Sequence, residues 1–306
     1  MDIREDTGGT ALTTAVIFVN YHSESLIAPR AAALVRIGLT VAVGDNSGTY
    51  VGEASRIVRL GRNVGFGGAV NAAVRDLPPE VTAVVLHNPD VDCDAESIHR
   101  LVSVMARQPR PGAVAPAIAE PRMTRRAGFA YPHPLRELVL TRRGTRSART
   151  GVGTARVGQR RTWPFGRRFA TAALMVVDRS AFDAIGGFDE RYFLYGEDLD
   201  LWHRLQESGR DVAFAPHIAA QHATASGSPM QAPRRELLRQ LGIELYFEAF
   251  SPRWLPVVRR IHLRYLPALA PDVPDLAAPV GHLWRTGVSP SDVARAVRPM
   301  LEAYRQ

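Results

Sequence analysis

Val81-Thr82-Ala83-Val84-Val85-Leu86-His87-Asn88-Pro89-Asp90-Val91-Asp92 is the stretch on which the fold turns. A short run rich in β-branched residues ends abruptly in a polar cluster. It shows no apolar/polar alternation, so neither face of the strand is wet, as in a parallel sheet covered by helices on both sides. Upstream, the same grammar occurs three times. Ala15-Val16-Ile17-Phe18-Val19 runs into Asn20, Thr40-Val41-Ala42-Val43-Gly44 runs into Asp45-Asn46-Ser47, and Ile57-Val58-Arg59-Leu60 precedes Asn63. Helical stretches separate these runs, from about Ser23 to Gly38 and from Asn63 to about Asp76, and a further one follows from Ala95 to Arg107. Strands alternating with helices predict a mostly parallel α/β sheet, with ligands at the carboxyl ends of its strands.

Downstream, Ala172–Val177 reads as a strand, with Ser180 capping a short helix that ends at Gly186-Gly187. A helix from Glu197 to Ser208 and a strand from Asp211 to Ala215 follow, then a small-residue loop from Ala219 to Ser228 that carries His222. Glu120 to Arg168 is arginine-rich, with little hydrophobic periodicity. It is expected to be a long, partly mobile connection, either a tolerated insertion or a basic flap over an anionic ligand. Pro233–Phe250 is a helix candidate. Beyond it, Arg253, Arg259, Arg260 and Arg264 mix with Trp254, Leu255, Val257 and Ile261. That segment reads as a helix on the core with an arginine-rich outer face, or as one lying on an anionic membrane surface. Pro267–Pro279 is proline-rich, and a last helix starts near Pro290. Residues 1–232 form the expected main domain, 120–168 its basic connection, and 233–306 a C-terminal helical extension.

With 306 residues, 46% of them apolar, the chain can bury a large core. The formal charge is +8, and all 38 basic residues are arginine. Guanidinium suits bidentate phosphate contacts, though codon bias accounts for the total as well. A single cysteine, Cys93, excludes an intrachain disulfide and a cysteine-based zinc site. Met1–Thr14 lacks the apolar core of a signal peptide, and no run of about 18 apolar residues exists. The expectation is a soluble cytoplasmic protein.

Four features carry chemistry. Phe188 to Arg204 sets Asp189, Glu190, Glu197, Asp198 and Asp200 among Tyr192, Phe193, Tyr195 and Trp202. Carboxylates against apolar walls lose water, and their proton affinity rises toward that of a general base. The plainer reading is an acidic helix start. Asp90 and Asp92 stand two residues apart after a buried strand; on an extended segment both would point one way, toward a hard cation. Asn63-Val64-Gly65-Phe66-Gly67-Gly68-Ala69-Val70-Asn71 opens a helix, where glycines admit a ligand to the backbone and the helix start favours negative charge. It matches neither a dinucleotide fingerprint nor a P-loop. His222 can complete a manganese site that two aspartates begin.

In this order the motifs resemble the inverting family 2 glycosyltransferases of the GT-A fold, particularly the rhamnosyltransferase-like branch. The resemblance rests on Val19-Asn20-Tyr21, Asp45-Asn46-Ser47, the Asn63–Asn71 turn, Asn88 to Asp92, Gly186 to Glu190 and Tyr195 to Leu201, and it spans about Ala15 to Ser228. It implies a nucleotide-sugar pocket around Asn20, Asp45, Asn46, Asn63, Gly67, Gly68, Asn71, Asn88 and Asp90. It implies Mn2+ or Mg2+ on Asp90 and Asp92, with Asp92 the more direct ligand and His222 joining in some members. Asp198 matches the catalytic base, with Glu197 beside it. The implied donor is dTDP-rhamnose, and the implied acceptor a glycan, a polyprenyl-linked glycan or a glycoside. Three departures stand out: no later aspartate follows Asp45-Asn46-Ser47, Thr171-Ala172-Ala173 replaces a glycine-alanine pair near the donor sugar, and the basic Glu120–Arg168 connection does not align with the family. The rival readings are a catalytically inactive nucleotide-sugar- or glycan-binding protein of the same fold, a nucleotidyltransferase, and a nucleic-acid binder. The intact carboxylates speak against the first, the missing N-terminal activating loop against the second, and strand-end carboxylates that repel phosphate against the third.

Overall fold

The computed structural model describes residues 12–120, 123–126, 128–150, 168–222 and 230–303. In chain order the elements are β1 (Thr14–Asn20), α1 (Glu24–Arg36), β2 (Thr40–Asp45), β3 (Arg56–Arg59), α2 (Gly65–Arg75), β4 (Ala83–His87) and β5 (Val91–Asp92). There follow α3 (Ala95–Ala106), β6 (Pro111–Glu120), β7 (Met123–Arg126), β8 (Phe129–Ala130), α4 (Pro134–Thr150), β9 (Arg168–Phe169), β10 (Leu174–Asp178) and α5 (Arg179–Ala184). The remainder is α6 (Glu197–Glu207), β11 (Asp211–His222) and the C-terminal helices α7 (Ala232–Phe250), α8 (Leu255–Tyr265), α9 (Pro274–Arg285) and α10 (Pro290–Glu302).

The main sheet has the order β3-β2-β1-β4-β10-β6-β11-β5, with β7 beside β6. The half from β3 to β4 is parallel, as the strand-helix alternation predicts. β10 then runs antiparallel between β4 and β6, so the sheet is mixed. Residues 15–18, 83–86 and 174–177 are essentially without exposed surface, because helices cover both faces. One apolar layer joins α2, α5 and α6 to one face, with Trp202 at its centre; a second joins α1 and α3 to the other.

Several expectations change. β6 carries Pro111 and Pro116, which argue against an inner strand from sequence. It is nevertheless one, and its partner β11 breaks register between Ala215 and Ala219 opposite Pro116. The short helix is capped by Asp178, whose carboxylate accepts from the Ala181 N–H at 2.8 Å, not by Ser180. Proline-rich 267–279 contains the first turns of α9, with Pro274 at a tolerated helix start. His222 is not in a loop: β11 continues to it, and its backbone pairs with Val91 of β5.

The basic connection also proves to be more than a connection, since it contains β7, β8 and α4. α4 is inserted by its polar face. Glu137 and Thr141 are buried against Arg239 of α7, and Glu137 Oε1 lies 3.2 Å from Nε2 of His262 on α8. His262 Nδ1 faces Glu244 Oε1 at 3.1 Å, and Glu244 also binds Arg259. Each imidazole nitrogen meets a carboxylate. Burial works to lower the His262 pKa, but these two partners outweigh it and hold the ring protonated. An ionic cluster of this kind has no period-3.6 apolar signature, which is why the helix does not announce itself.

The C-terminal helices share a core with the acidic-aromatic stretch. Tyr192 and Phe193 pack among Leu237, Leu241, Leu276 and Val297. Arg298 of α10 donates to the Val64 carbonyl at 2.7 Å and to the Glu190 carbonyl, with its guanidinium over the Phe193 ring. Among the described residues no helix is long and apolar enough to cross a membrane.

Candidate active site

The carboxyl ends of β1, β2 and β4 open onto a cleft of about 270 Å³. Asn46, Asn63, Gly65, Asn88 and Asp90 line it, together with Tyr21, Phe66, Phe193, Leu194, Met230 and Arg234. Asn46 is positioned from two sides: its amide donates to the Gly65 carbonyl at 3.1 Å and accepts from the Val64 N–H at 3.0 Å. Asn63 accepts from the Gly65 N–H at 3.0 Å. The turn before α2 is therefore tied to the loop after β2.

Asn20 and Asp45, expected to touch the nucleotide, have no exposed surface. Asn20 donates to Asp45 at 2.9 Å and to Ser47 at 2.9 Å, and Asp45 accepts from the N–H groups of Ser47, Gly48 and Tyr50. Burial works to raise the Asp45 pKa, yet these hydrogen bonds hold it below the usual carboxylate range. The two residues shape the loop behind Asn46; they do not form the cleft wall.

The glycine turn also departs from its expected use. Gly65 sits at φ +83°, and a Cβ there would lie 2.3 Å from the Phe193 carbonyl oxygen, so the position admits only glycine. Gly67 makes room for Phe188, and Gly68 for Val64. Asn71 holds the Phe188 backbone from both sides, accepting its N–H at 2.9 Å and donating to its carbonyl at 2.9 Å. Gly67, Gly68 and Asn71 thus dock α2 onto the 188–193 segment, and the close approach they permit is protein on protein.

That segment delivers the carboxylates. Tyr195 and Gly196 both have positive φ, 69° and 99°, making a sharp turn into the first residues of α6. Gly242 of α7 lies against the turn, where a Cβ would come within 2.1 Å of the Tyr195 carbonyl oxygen. Glu197 follows and is buried, its Oε2 without a hydrogen-bond partner. Burial, reinforced by Asp198, pushes its pKa up to about 8. Burial also raises Asp198, to about 6, against hydrogen bonds from the Leu199 and Ala172 backbone and the Thr171 side chain. Asp200 instead pairs with Arg204, whose Nε donates to it at 2.7 Å, so it is spent on structure.

Thr171-Ala172-Ala173 joins the two halves of the site. Thr171 and Ala172 hydrogen-bond Asp198, while the Ala173 carbonyl accepts from the Asn88 N–H at 2.8 Å. Asp90 stands in the turn closed by the Val91 N–H and the Asn88 carbonyl at 3.1 Å, and only Val91-Asp92 is strand. The two aspartates are therefore not on one extended run, as the spacing suggested. Asp90 lines the cleft, and Asp92 is exposed on β5 opposite Gln221. The Tyr195 phenol, raised to about 12 chiefly by burial, feels Arg235, Glu197 and Asp90 in turn.

Among the described residues no group of three metal-binding side chains converges, and the His222 side chain lies outside them. Two hard carboxylates at a strand end still suit Mg2+ or Mn2+, which complete their shells with water and phosphate oxygens. Sequence reasoning missed Arg234, a buried guanidinium in the cleft wall held by Asp275. A signal was present: Arg234 and Arg235 sit in the first turn of α7, where positive charge opposes the helix dipole.

A family model described as glycosyltransferase like family 2 matches residues 40–242. N-acetylglucosaminyl-diphospho-decaprenol L-rhamnosyltransferases of Mycobacterium tuberculosis are 34% identical over 187 residues, covering 56% of this chain and 59% of theirs. A low-salt glycan biosynthesis hexosyltransferase of Haloferax volcanii is 24% identical over 216 residues, covering 68% of this chain and 66% of its own. The chain thus spans 59% of the length of the rhamnosyltransferases it matches. Among solved structures, GalNAc-T7 with UDP, GalNAc and Mn2+ superposes with a TM-score of 0.52 at 11% identity, covering 99% of this chain and 61% of that one. The likeness is one of fold, and the expected GT-A architecture is the one observed.

Proposed function

The chain belongs to glycosyltransferase family 2, and from that premise we propose that it moves a sugar from a nucleotide diphosphate to an acceptor hydroxyl with inversion at the anomeric carbon. The observation that carries this reading is the coupling of a raised carboxyl, Asp198 at about 6, to the cleft wall through Thr171–Ala173 and Asn88. A carboxylate of that basicity takes up the proton of a hydroxyl as the oxygen attacks. Glu197, raised further by burial and by the neighbouring Asp198, favours its protonated form and leaves Asp198 the more readily ionised carboxylate of the pair.

The nucleotide lies along Asn46, Asn63 and Asn88, with Arg234 offering charge to the diphosphate. Asp90 and Asp92 would hold the divalent cation, which supplies charge neutralisation to the departing nucleoside diphosphate when bound. Attack from the face opposite the diphosphate inverts the centre in one displacement. The donor is dTDP-rhamnose, as the resemblance of the motifs implies, and the acceptor a glycan on a polyprenyl diphosphate, by analogy with the mycobacterial N-acetylglucosaminyl-diphospho-decaprenol L-rhamnosyltransferases. The reaction belongs to the cytoplasmic face of a membrane, where such an acceptor would be met.

Thermal unfolding with a panel of nucleotide sugars, with Mn2+, with Mg2+ and with chelator, tests the reading. A ligand that binds only the folded state raises its stability with the logarithm of saturation. dTDP-rhamnose is expected to stabilise the protein, with a metal-dependent part that Asp92→Ala removes. Absence of stabilisation by every nucleotide sugar and nucleoside diphosphate would overturn the donor site.

A further inference from the structure

α4 is an inverted amphipathic helix. Its polar residues Glu137 and Thr141 face inward, while Leu135, Leu138 and Val139 face solvent, Leu135 with 69% of its surface exposed. Polar groups inside are satisfied by the ionic cluster with Arg239 and His262, so the packing explains them. Among the described residues nothing in the packing explains the apolar face outside. It continues onto the neighbouring segment, because the Trp254 ring lies 6.3 Å from that of His133, just ahead of α4, and Trp254 and Val257 are exposed as well. Contiguous exposed apolar surface marks an interaction site.

Both segments that form this face carry exposed charge of one sign. Arg142 and Arg143 are exposed on α4, Arg253 sits over the Trp254 ring, and Arg260 is exposed on α8. Residues 134–150 and 252–268 contain one acid between them, the buried Glu137. A second copy on this patch would bring arginines against arginines, because a two-fold contact presents the same surface twice. An anionic bilayer complements both features: arginine heads meet lipid phosphates, and leucine, valine and tryptophan enter the interface.

We infer that the outer face of α4, with the Trp254–Val257 segment, is a docking surface for anionic membrane lipid. Its purpose, though not its existence, rests on the lipid-linked acceptor proposed above. Flotation of the full chain with phosphatidylcholine vesicles, with and without phosphatidylglycerol, is the test. The protein is expected to float with the anionic vesicles alone, less so at high salt, with a blue shift in fluorescence that Trp254→Phe abolishes. Leu138→Asp with Val139→Asp, and separately Arg142→Glu with Arg143→Glu, are expected to weaken partition roughly 20-fold or more. Both should keep the wild-type melting temperature and response to dTDP-rhamnose. No flotation with anionic vesicles, or flotation that both double variants retain, overturns the inference. A dimer that the variants dissociate, without vesicle binding, assigns the patch to a second copy instead. Loss of the dTDP-rhamnose response in wild type would sink the donor assignment and leave the vesicle result standing.

Discussion

Gly242→Ala is a one-methyl test of how the carboxylates are aimed. The added carbon would lie 2.1 Å from the Tyr195 carbonyl oxygen and 3.1 Å from its carbon, so helix and turn must part by roughly 1 Å. Neither side yields freely. The turn is committed to two consecutive positive φ values, and α7 is anchored on both sides by Leu237, Leu241 and Leu245 in the core. Overpacking of this kind costs about 1–3 kcal/mol, or about 2–5 °C in Tm for a chain of this size. The larger effect falls on turnover, because Glu197 and Asp198 directly follow the turn. A displacement of about 1 Å at a reacting group costs on the order of 100-fold. The assay is release of nucleoside diphosphate from dTDP-rhamnose in the presence of acceptor, beside a titration of donor binding. Donor affinity should change far less than turnover, since Asn46 and Asn88 follow β2 and β4 directly and only Arg234 of the cleft wall is carried by α7. Gly281→Ala serves as the control. It overpacks α9 against Leu266, at 2.5 Å, and should lower Tm without the loss of turnover. Wild-type turnover in Gly242→Ala, or equal loss in Gly281→Ala, would refute the reasoning.

Other outcomes follow from the same geometry. Glu197 carries a pKa raised from 4.5 to about 8, so the fold favours its protonated form, and stability contributed by that form is lost as pH rises through this window. Glu197→Gln should therefore flatten the fall in Tm between about pH 5 and pH 8, and an unchanged pH profile would refute the burial argument. Turnover should rise with pH through about 6 as Asp198 loses its proton; a falling limb there would point to another base. Arg298→Leu removes charge-assisted contacts to Val64 and Glu190 and should cost about 2 kcal/mol, read by urea unfolding, with weaker nucleotide binding. Glu137→Leu leaves Arg239 and the His262 imidazolium facing an apolar side chain, and should cost about 3–5 kcal/mol; a neutral outcome would mean that the cluster is not what seats α4.

Much of the fold was legible because buried parallel strands print their own signal. Val16–Phe18, Val41–Val43 and Val84–Leu86 are continuous apolar runs, and the structure buries all of them completely. The raised proton affinity of Glu197 and Asp198 was equally readable, from carboxylates set among aromatic residues. What stayed hidden depends on contacts between distant segments. Nothing near Gly67 or Asn71 says that Phe188, more than a hundred residues away, will fill the space the glycine leaves. Asp45 looks like a ligand residue until the N–H groups of Ser47, Gly48 and Tyr50 are seen to converge on it. β6 was masked by its prolines, and α4 by an inward face that is charged. Arg234 reaches the cleft from the C-terminal extension, so that extension helps to build the site.

Asp198→Asn, compared with wild type in donor binding and in transfer, tests the central claim most directly. The substitution keeps the shape of the side chain and removes its basicity. The account predicts that dTDP-rhamnose binds both proteins within about threefold while transfer falls by about 10²-fold or more. Transfer at the wild-type rate in Asp198→Asn would contradict it, and so would loss of donor binding together with loss of transfer, since Asp198 would then be serving the donor pocket and not the acceptor hydroxyl.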